Sequence, residues 1–279
     1  MGMREILKGT VIYESGQKLN GLMMIMRGTA VVSFEGGSYE LHNGDVIGLP
    51  DLIHKEANFR YVAKENLAVV DYPSKVSELK KFFKEHGEVV RYFQSSLFRQ
   101  LNELLLHYKE VQTVSDMMQD YLTGSYENYI RICENNHISP GELERYEELS
   151  VIPQEEKIPD WISGYYSTME QMLSVWDKNK TDMNFVVGFM SKTCDDMNQM
   201  AGLYGRMKDH IQEVCELLMN ESGLDLLELY VSLYEKIVKK NGLKDVSVIL
   251  VKKMLTGTLS QLEKQGYAQK EFFAARKAD

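Results

Sequence analysis

The chain is poor in the residues that announce secreted, membrane or redox proteins: five prolines, two tryptophans and three cysteines in 279 residues. Cys133, Cys194 and Cys215 are odd in number and far apart, in no metal-binding or redox spacing. That excludes a disulfide framework and predicts reduced, buried thiols. No apolar run reaches membrane-spanning length, the longest being broken by Lys, Asp or Gly. Met1 to Lys8 is too short and too charged for a secretory leader. The expectation is a cytoplasmic protein, and the acceptor tripeptides Asn179-Lys180-Thr181 and Asn220-Glu221-Ser222 then carry no weight. Positive charge is also scarce, with 32 Lys and Arg against 41 Asp and Glu, a formal charge of -9 and a pI near 5.3. Nucleic-acid affinity rests on cations neutralising phosphates, so this balance argues against backbone binding as the main task.

Catalytic signatures are missing as well. The six histidines, His42, His54, His86, His107, His137 and His210, show no metal-ligand spacing. Asp51 and His54, three apart, come nearest to a proton switch or a metal pair and read as a surface turn pair. No glycine-rich phosphate loop opens a helix, no Gly-x-Ser-x-Gly elbow occurs, and no Cys–His couple has a local signature. Asp195-Asp196 and Glu147-Glu148 are adjacent, and neighbours on a helix diverge by about 100°. The expectation is no enzyme, no metal site and no cofactor.

What is present is a glycine lattice in the first quarter: Gly9, Gly16, Gly28, Gly36-Gly37, Gly44 and Gly48. Between these lie short apolar or alternating segments, Thr10–Tyr13, Leu22–Met26, Ala30–Phe34, Tyr39–Leu41 and Asp45–Ile47, followed by Phe59–Val62 and Leu67–Tyr72. Evenly spaced short strands, with glycine at corners that need positive φ, predict an antiparallel β-roll or jelly roll.

Lys8-Gly9-Thr10-Val11-Ile12, Gly16, Leu22 to Met26, Gly28 and Asn43-Gly44-Asp45-Val46-Ile47-Gly48 resemble the cyclic nucleotide-binding domain in order and spacing, over about residues 5 to 75. The resemblance implies a phosphate-binding cassette starting at Gly48. There, backbone N–H groups of a short helix face the cyclic phosphate, a glutamate holds the ribose and an arginine pairs the phosphate charge. This chain keeps Gly48 and then departs, with Leu49 in the ribose-glutamate position followed by Pro50 and Asp51. Ala57 stands at the arginine position and Asn58 at the small-hydroxyl position. Arg60 would reach the phosphate only through a slipped register, and registers with one buried face are strongly fixed. Losing one member of a buried charge pair costs about 2–5 kcal/mol. Two such losses move a micromolar ligand towards millimolar, so cyclic AMP and cyclic GMP are disfavoured as ligands.

After Tyr72-Pro73-Ser74 the period changes to helical. Val90, Phe93, Leu97, Leu101, Leu104, Tyr108 and Val111 form one apolar stripe. The resemblance implies a dimer interface there, and packing within the chain is the other reading. Helix should continue over 113–136 with a break near Gly124, and restart at Ser139-Pro140-Gly141. Val151 to Pro159 reads as a polar linker. Further stripes follow, one through Trp161, Tyr165, Met169, Met172, Leu173 and Trp176, and one from Met190 through Cys194, Met197, Ala201, Tyr204, Ile211 and Cys215 to Leu218. Two more helices are expected over 224–238 and 246–262. The sixteen methionines lie largely on such stripes and read as core.

The fold class expected is therefore α+β and multidomain: a roll over 1–75, a connecting helix over 76–112 and an all-helical domain over 113–279 with a soft break at 151–159. The leading functional expectation is a bacterial-type cytoplasmic signalling protein. A degenerate sensor or docking roll, with room for an unknown small ligand, is coupled to helices that bind a protein partner or a second copy. A catabolite-activator-type DNA regulator is an alternative, because Leu255 to Tyr267 resembles a winged-helix recognition helix and turn. The remaining reading is a structural scaffold.

Overall fold

The computed structural model describes residues 2–54, 56–152, 160–219 and 226–242, with the side chains at 160–169, 219 and 227 excepted. Most of the expected linker, the helix expected over 246–262, the recognition-helix resemblance at 255–267 and the side chains of Trp161, Tyr165 and Met169 lie outside the described residues.

The chain divides into two compact units, Met1–Lys109 with Ile158–Gly205, and Glu110–Lys157 with Arg206–Asp279. Each unit is discontinuous in sequence, where the reading from sequence cut the chain into successive segments at 75 and 112. The physical reason is helix length: two helices, α2 (Val90–Asn135) and α5 (Met183–Met219), each contribute residues to both units.

The first unit begins with eight strands: β1 (Met3–Ile6), β2 (Val11–Tyr13), β3 (Leu22–Arg27), β4 (Ala30–Phe34), β5 (Gly37–Leu41), β6 (Val46–Ile47), β7 (Arg60–Ala63) and β8 (Leu67–Tyr72). They form two antiparallel four-stranded sheets, ordered β1-β8-β3-β6 and β2-β7-β4-β5. The β4 strand alternates, turning Ala30, Val32 and Phe34 into the core while Val31 and Ser33 face outward. Four consecutive residues of β3, Leu22 to Ile25, are buried, as suits an inner strand covered on both faces. One corner shows why glycine is required. Gly28 has φ +93, and a Cβ there would lie 2.5 Å from the Asn66 carbonyl oxygen.

Only β1 escaped the sequence pattern. It is a four-residue edge strand with three exposed residues, so it shows no alternation, and its register is set by pairing Met3 to Ile6 with Val70 to Leu67.

Helix α1 (Val76–Glu85) follows the roll, and a short 3-10 turn at Gly87–Val89 leads into α2. The α2 stripe is buried in the chain itself: Phe93, Leu97, Leu101, Leu104 and Tyr108 have no exposed surface. Phe93 meets Tyr72 at 5.2 Å and Phe83 at 5.0 Å, both edge-to-face. This stripe is thus core. Helix α4 (Asp160–Asn179) buries Trp176 against Phe189 of α5, with ring centroids 5.4 Å apart.

In the second unit, α2 runs through Gly124 without the expected break, because one glycine in a well-packed helix costs only about 1 kcal/mol. The expected helix start at Ser139-Pro140-Gly141 is also absent. There the Gly141 N–H donates to the Tyr129 hydroxyl at 2.7 Å and Leu143 is buried, which holds the segment open until α3 (Tyr146–Leu149). Tyr146 stacks on Tyr126 at 4.0 Å, and Tyr230 of α6 (Leu226–Asn241) donates to the Ser125 carbonyl at 2.6 Å. Among the described residues no helix is long and apolar enough to cross a membrane. The three cysteines are free and buried.

Replacing Phe93 by Ala should cost about 3–5 kcal/mol in denaturant unfolding, the usual range for a fully buried aromatic. Leu106→Ala, on the exposed side of the same helix, should stay within about 0.5 kcal/mol. Equal effects would mean that the stripe is not core.

Candidate functional site

The cassette begins where the lattice ends. Gly48 adopts φ 79 and ψ 2, and a Cβ there would stand 2.9 Å from Leu19 Cδ1, so both backbone and space demand glycine. The chain then makes a 3-10 turn, Leu49–Asp51, with Pro50 in its first turn. Pro50 has no N–H, and the Asp51 and Leu52 amides donate back to the Gly48 and Leu49 carbonyls, each at 3.1 Å. Few amides remain to receive an anion.

Leu49 and Ala57, the two positions at which the resemblance implies charged anchors, have no exposed surface. Ala57 is held on both sides, its N–H donating to the Gln17 carbonyl at 2.7 Å and its carbonyl accepting from Gly16 at 2.8 Å. Arg60 is exposed on β7 and pairs with Glu14 at 2.9 Å. It is committed to the outer face, away from the cassette interior.

Asp51 is wholly buried. Its carboxylate accepts from the Asn58 N–H at 2.8 Å and from the Tyr61 hydroxyl at 2.9 Å. Burial pushes its pKa up to about 6, and the bonds from Asn58 and Tyr61 offset only part of that. Burial likewise raises the Tyr39 and Tyr61 phenols and the Cys194 thiol, and the nearby Asp51 charge adds to each. His54 donates its backbone N–H to the Asp51 carbonyl at 3.0 Å, so the two meet through the main chain. No cluster of three or more metal-ligating side chains occurs among the described residues.

The cassette is covered from within the same unit. Cys194 Sγ donates to the Leu49 carbonyl at 3.0 Å, and Asn198 Nδ2 to the Pro50 carbonyl at 2.5 Å. In return the exposed Asn58 donates its side-chain amide to Asn198 Oδ1 at 2.7 Å. Residues four apart share a helix face, so the Cys194–Asn198 pair places two donors in line over the turn. One step further along, Tyr204 meets Phe34 edge-to-face at 5.3 Å. A Cβ on Gly205 would fall 2.3 Å from the Glu35 side chain, so this glycine lets the β4–β5 hairpin approach α5.

A second polar clip joins the roll to α2. Ser96 Oγ accepts the Val46 N–H at 2.8 Å, and Gln100 Nε2 donates to the Val46 carbonyl at 3.1 Å. Tyr39 donates to Gln100 Oε1 at 3.0 Å, and Arg99 pairs with the buried Asp45 at 2.7 Å.

The structure therefore gathers Gly48, Leu49, Pro50, Asp51, Ala57 and Asn58 into one region and leaves Arg60 outside it. Reading the sequence named Asp51 and Asn58 without joining them, and missed Asn198, Ser96, Arg99 and Gln100. Their only signal was a polar residue beside an apolar stripe, which is what any solvated helix face also shows.

No protein-family model matches the chain, and no curated protein matches it. Solved structures similar to its N-terminal part are of cyclic nucleotide-binding domain proteins. One is a putative cyclic nucleotide-binding protein of Geobacter metallireducens, at 19% identity, covering 35% of this chain and 76% of that one, with a TM-score of 0.29. Another is the catabolite activator protein of Thermus thermophilus, at 18% identity, 44% and 63% coverage and a TM-score of 0.32. A third is the N-terminal domain of a Streptomyces coelicolor transcriptional regulator, at 14% identity, 37% and 75% coverage and a TM-score of 0.27.

A folded-state pKa near 6 against an ordinary 3.8 means that the fold holds the Asp51 proton more tightly than the unfolded chain does. The Asp51 contribution is therefore greatest below pH 3.8, declines as pH rises to about 6, and is lost above it. The decline should amount to about 2–3 kcal/mol. Subtracting urea-unfolding free energies of Asp51→Asn from wild type between pH 3.5 and 7 should isolate this slope, and parallel curves would refute the buried carboxylate.

Proposed function

We propose that this chain is a regulatory interaction protein whose roll has exchanged its nucleotide for parts of its own chain. The observation that carries this reading is the bonding of the Leu49 and Pro50 carbonyls to Cys194 and Asn198. A helix of the same unit covers the turn against which the resemblance sets the phosphate, while a buried internal carboxylate, Asp51, takes the Asn58 amide and the Tyr61 hydroxyl. Electrostatics favour the same conclusion. An arriving cyclic phosphate would find Ala57 at the position where the resemblance implies an arginine, and a buried carboxylate, Asp51, in the adjoining turn, and like charges in a buried site repel strongly. No catalytic step is assigned, and the protein would act by docking, to a protein partner or to a second copy, in bacterial-type cytoplasmic signalling.

Isothermal titration with cyclic AMP and cyclic GMP at up to about 1 mM should give no saturable heat. A dissociation constant in the low micromolar range for either nucleotide would overturn the reading.

A further inference from the structure

Away from the cassette, the first unit contains a groove of about 810 Å³ between β5 and α2. One wall is the run Ser38 to His42, and the other includes Phe98, Arg99 and Glu103. This size falls within the range of ligand clefts, about 300–1,000 Å³.

The strand wall is an open edge. β5 ends its sheet, pairing with β4 on one side and with no described strand on the other. Phe34 and Gly37 close the hairpin opposite each other, so Val32–Tyr39 and Ala30–Leu41 are the other pairs that exchange both hydrogen bonds. The Ser38 and Glu40 N–H and carbonyl groups then point away from β4, into the groove.

The charges of the walls are unbalanced. Asp45, Glu40 and Glu103 stand against a single guanidinium, Arg99. Arg99 is engaged by Asp45 at 2.7 Å, and Glu40 by Lys64 at 2.5 Å. Glu103 has no cation partner among the described residues.

We propose that this groove binds an extended segment of a partner protein, added beside β5 as a further strand, with a Lys or Arg side chain set against Glu103. Main-chain bonds to Ser38 and Glu40 supply affinity, and the acidic helix wall supplies selectivity. Phe98 and Leu173 offer an apolar contact at the same site. The groove is separate from the cassette, so the inference stands whether or not a nucleotide binds.

The test is selection of a random short-peptide display library on the full chain, followed by anisotropy titration of the enriched peptides. These should be rich in Lys or Arg and should bind at least about ten-fold more weakly to Glu103→Lys. Glu40→Pro removes an outward N–H while sparing the bonds to β4, and it should weaken binding similarly. Should that variant fail to fold by circular dichroism, peptides N-methylated at alternate amides decide instead. Methylation should weaken binding in one register and spare it in the other. The proposal is overturned by no enrichment, by enriched peptides that bind both variants like wild type, or by a dimer in sedimentation that Glu40→Pro dissolves, since the edge would then belong to a second copy.

Discussion

A carboxylate with no exposed surface is tolerated only where fixed donors replace its water, and Asp51 imposes that condition on the whole cassette. Its two bonds run forward in the chain to Asn58 and Tyr61, drawing the segment between them into a closed loop over the roll. With that loop fixed, the Leu49 and Pro50 carbonyls face α5, and Cys194 and Asn198 are what satisfy them. Take the carboxylate away and the Asn58 N–H and the Tyr61 hydroxyl lose their acceptor, and the loop loses a tie. The other polar contacts of the cassette are made around this one buried carboxyl group.

The clip between α2 and β6 obeys the same economy. Val46 is buried in β6, the end strand of its sheet, so its N–H and carbonyl, turned away from β3, need outside partners. Ser96 and Gln100, one helical turn apart, supply an acceptor and a donor at that height. This explains buried polar residues beside an apolar stripe. They complete a strand, and the helix register follows from it.

Much of the roll was legible because glycine reports backbone geometry directly. Gly9, Gly16, Gly28, Gly36, Gly44 and Gly48 all have positive φ, as the lattice required. The α2 stripe was legible too, through its three-four spacing. What spacing cannot say is which surface covers a stripe, and here the answer was the chain's own core. At the cassette, Leu49 and Ala57 could be singled out from position alone, and both are buried. The partners of the Leu49 and Pro50 carbonyls could not, because Cys194 and Asn198 are local features of a distant helix. The break at Gly124 and the helix start at Ser139 failed for a related reason: packing around α2 and the Tyr129–Gly141 bond outweigh local propensity.

The bonds from Cys194 to Leu49 and from Asn198 to Pro50 join residues 145 and 148 positions apart. Ribosomal synthesis is vectorial, and a roll emerging first cannot use a helix that is not yet made. The strands, whose partners all lie within the first 72 residues, have time to pair while the Leu49 and Pro50 carbonyls still face water. Each newly made molecule thus passes through an interval with its cassette open to the cell, and it closes only when the second long helix has been translated.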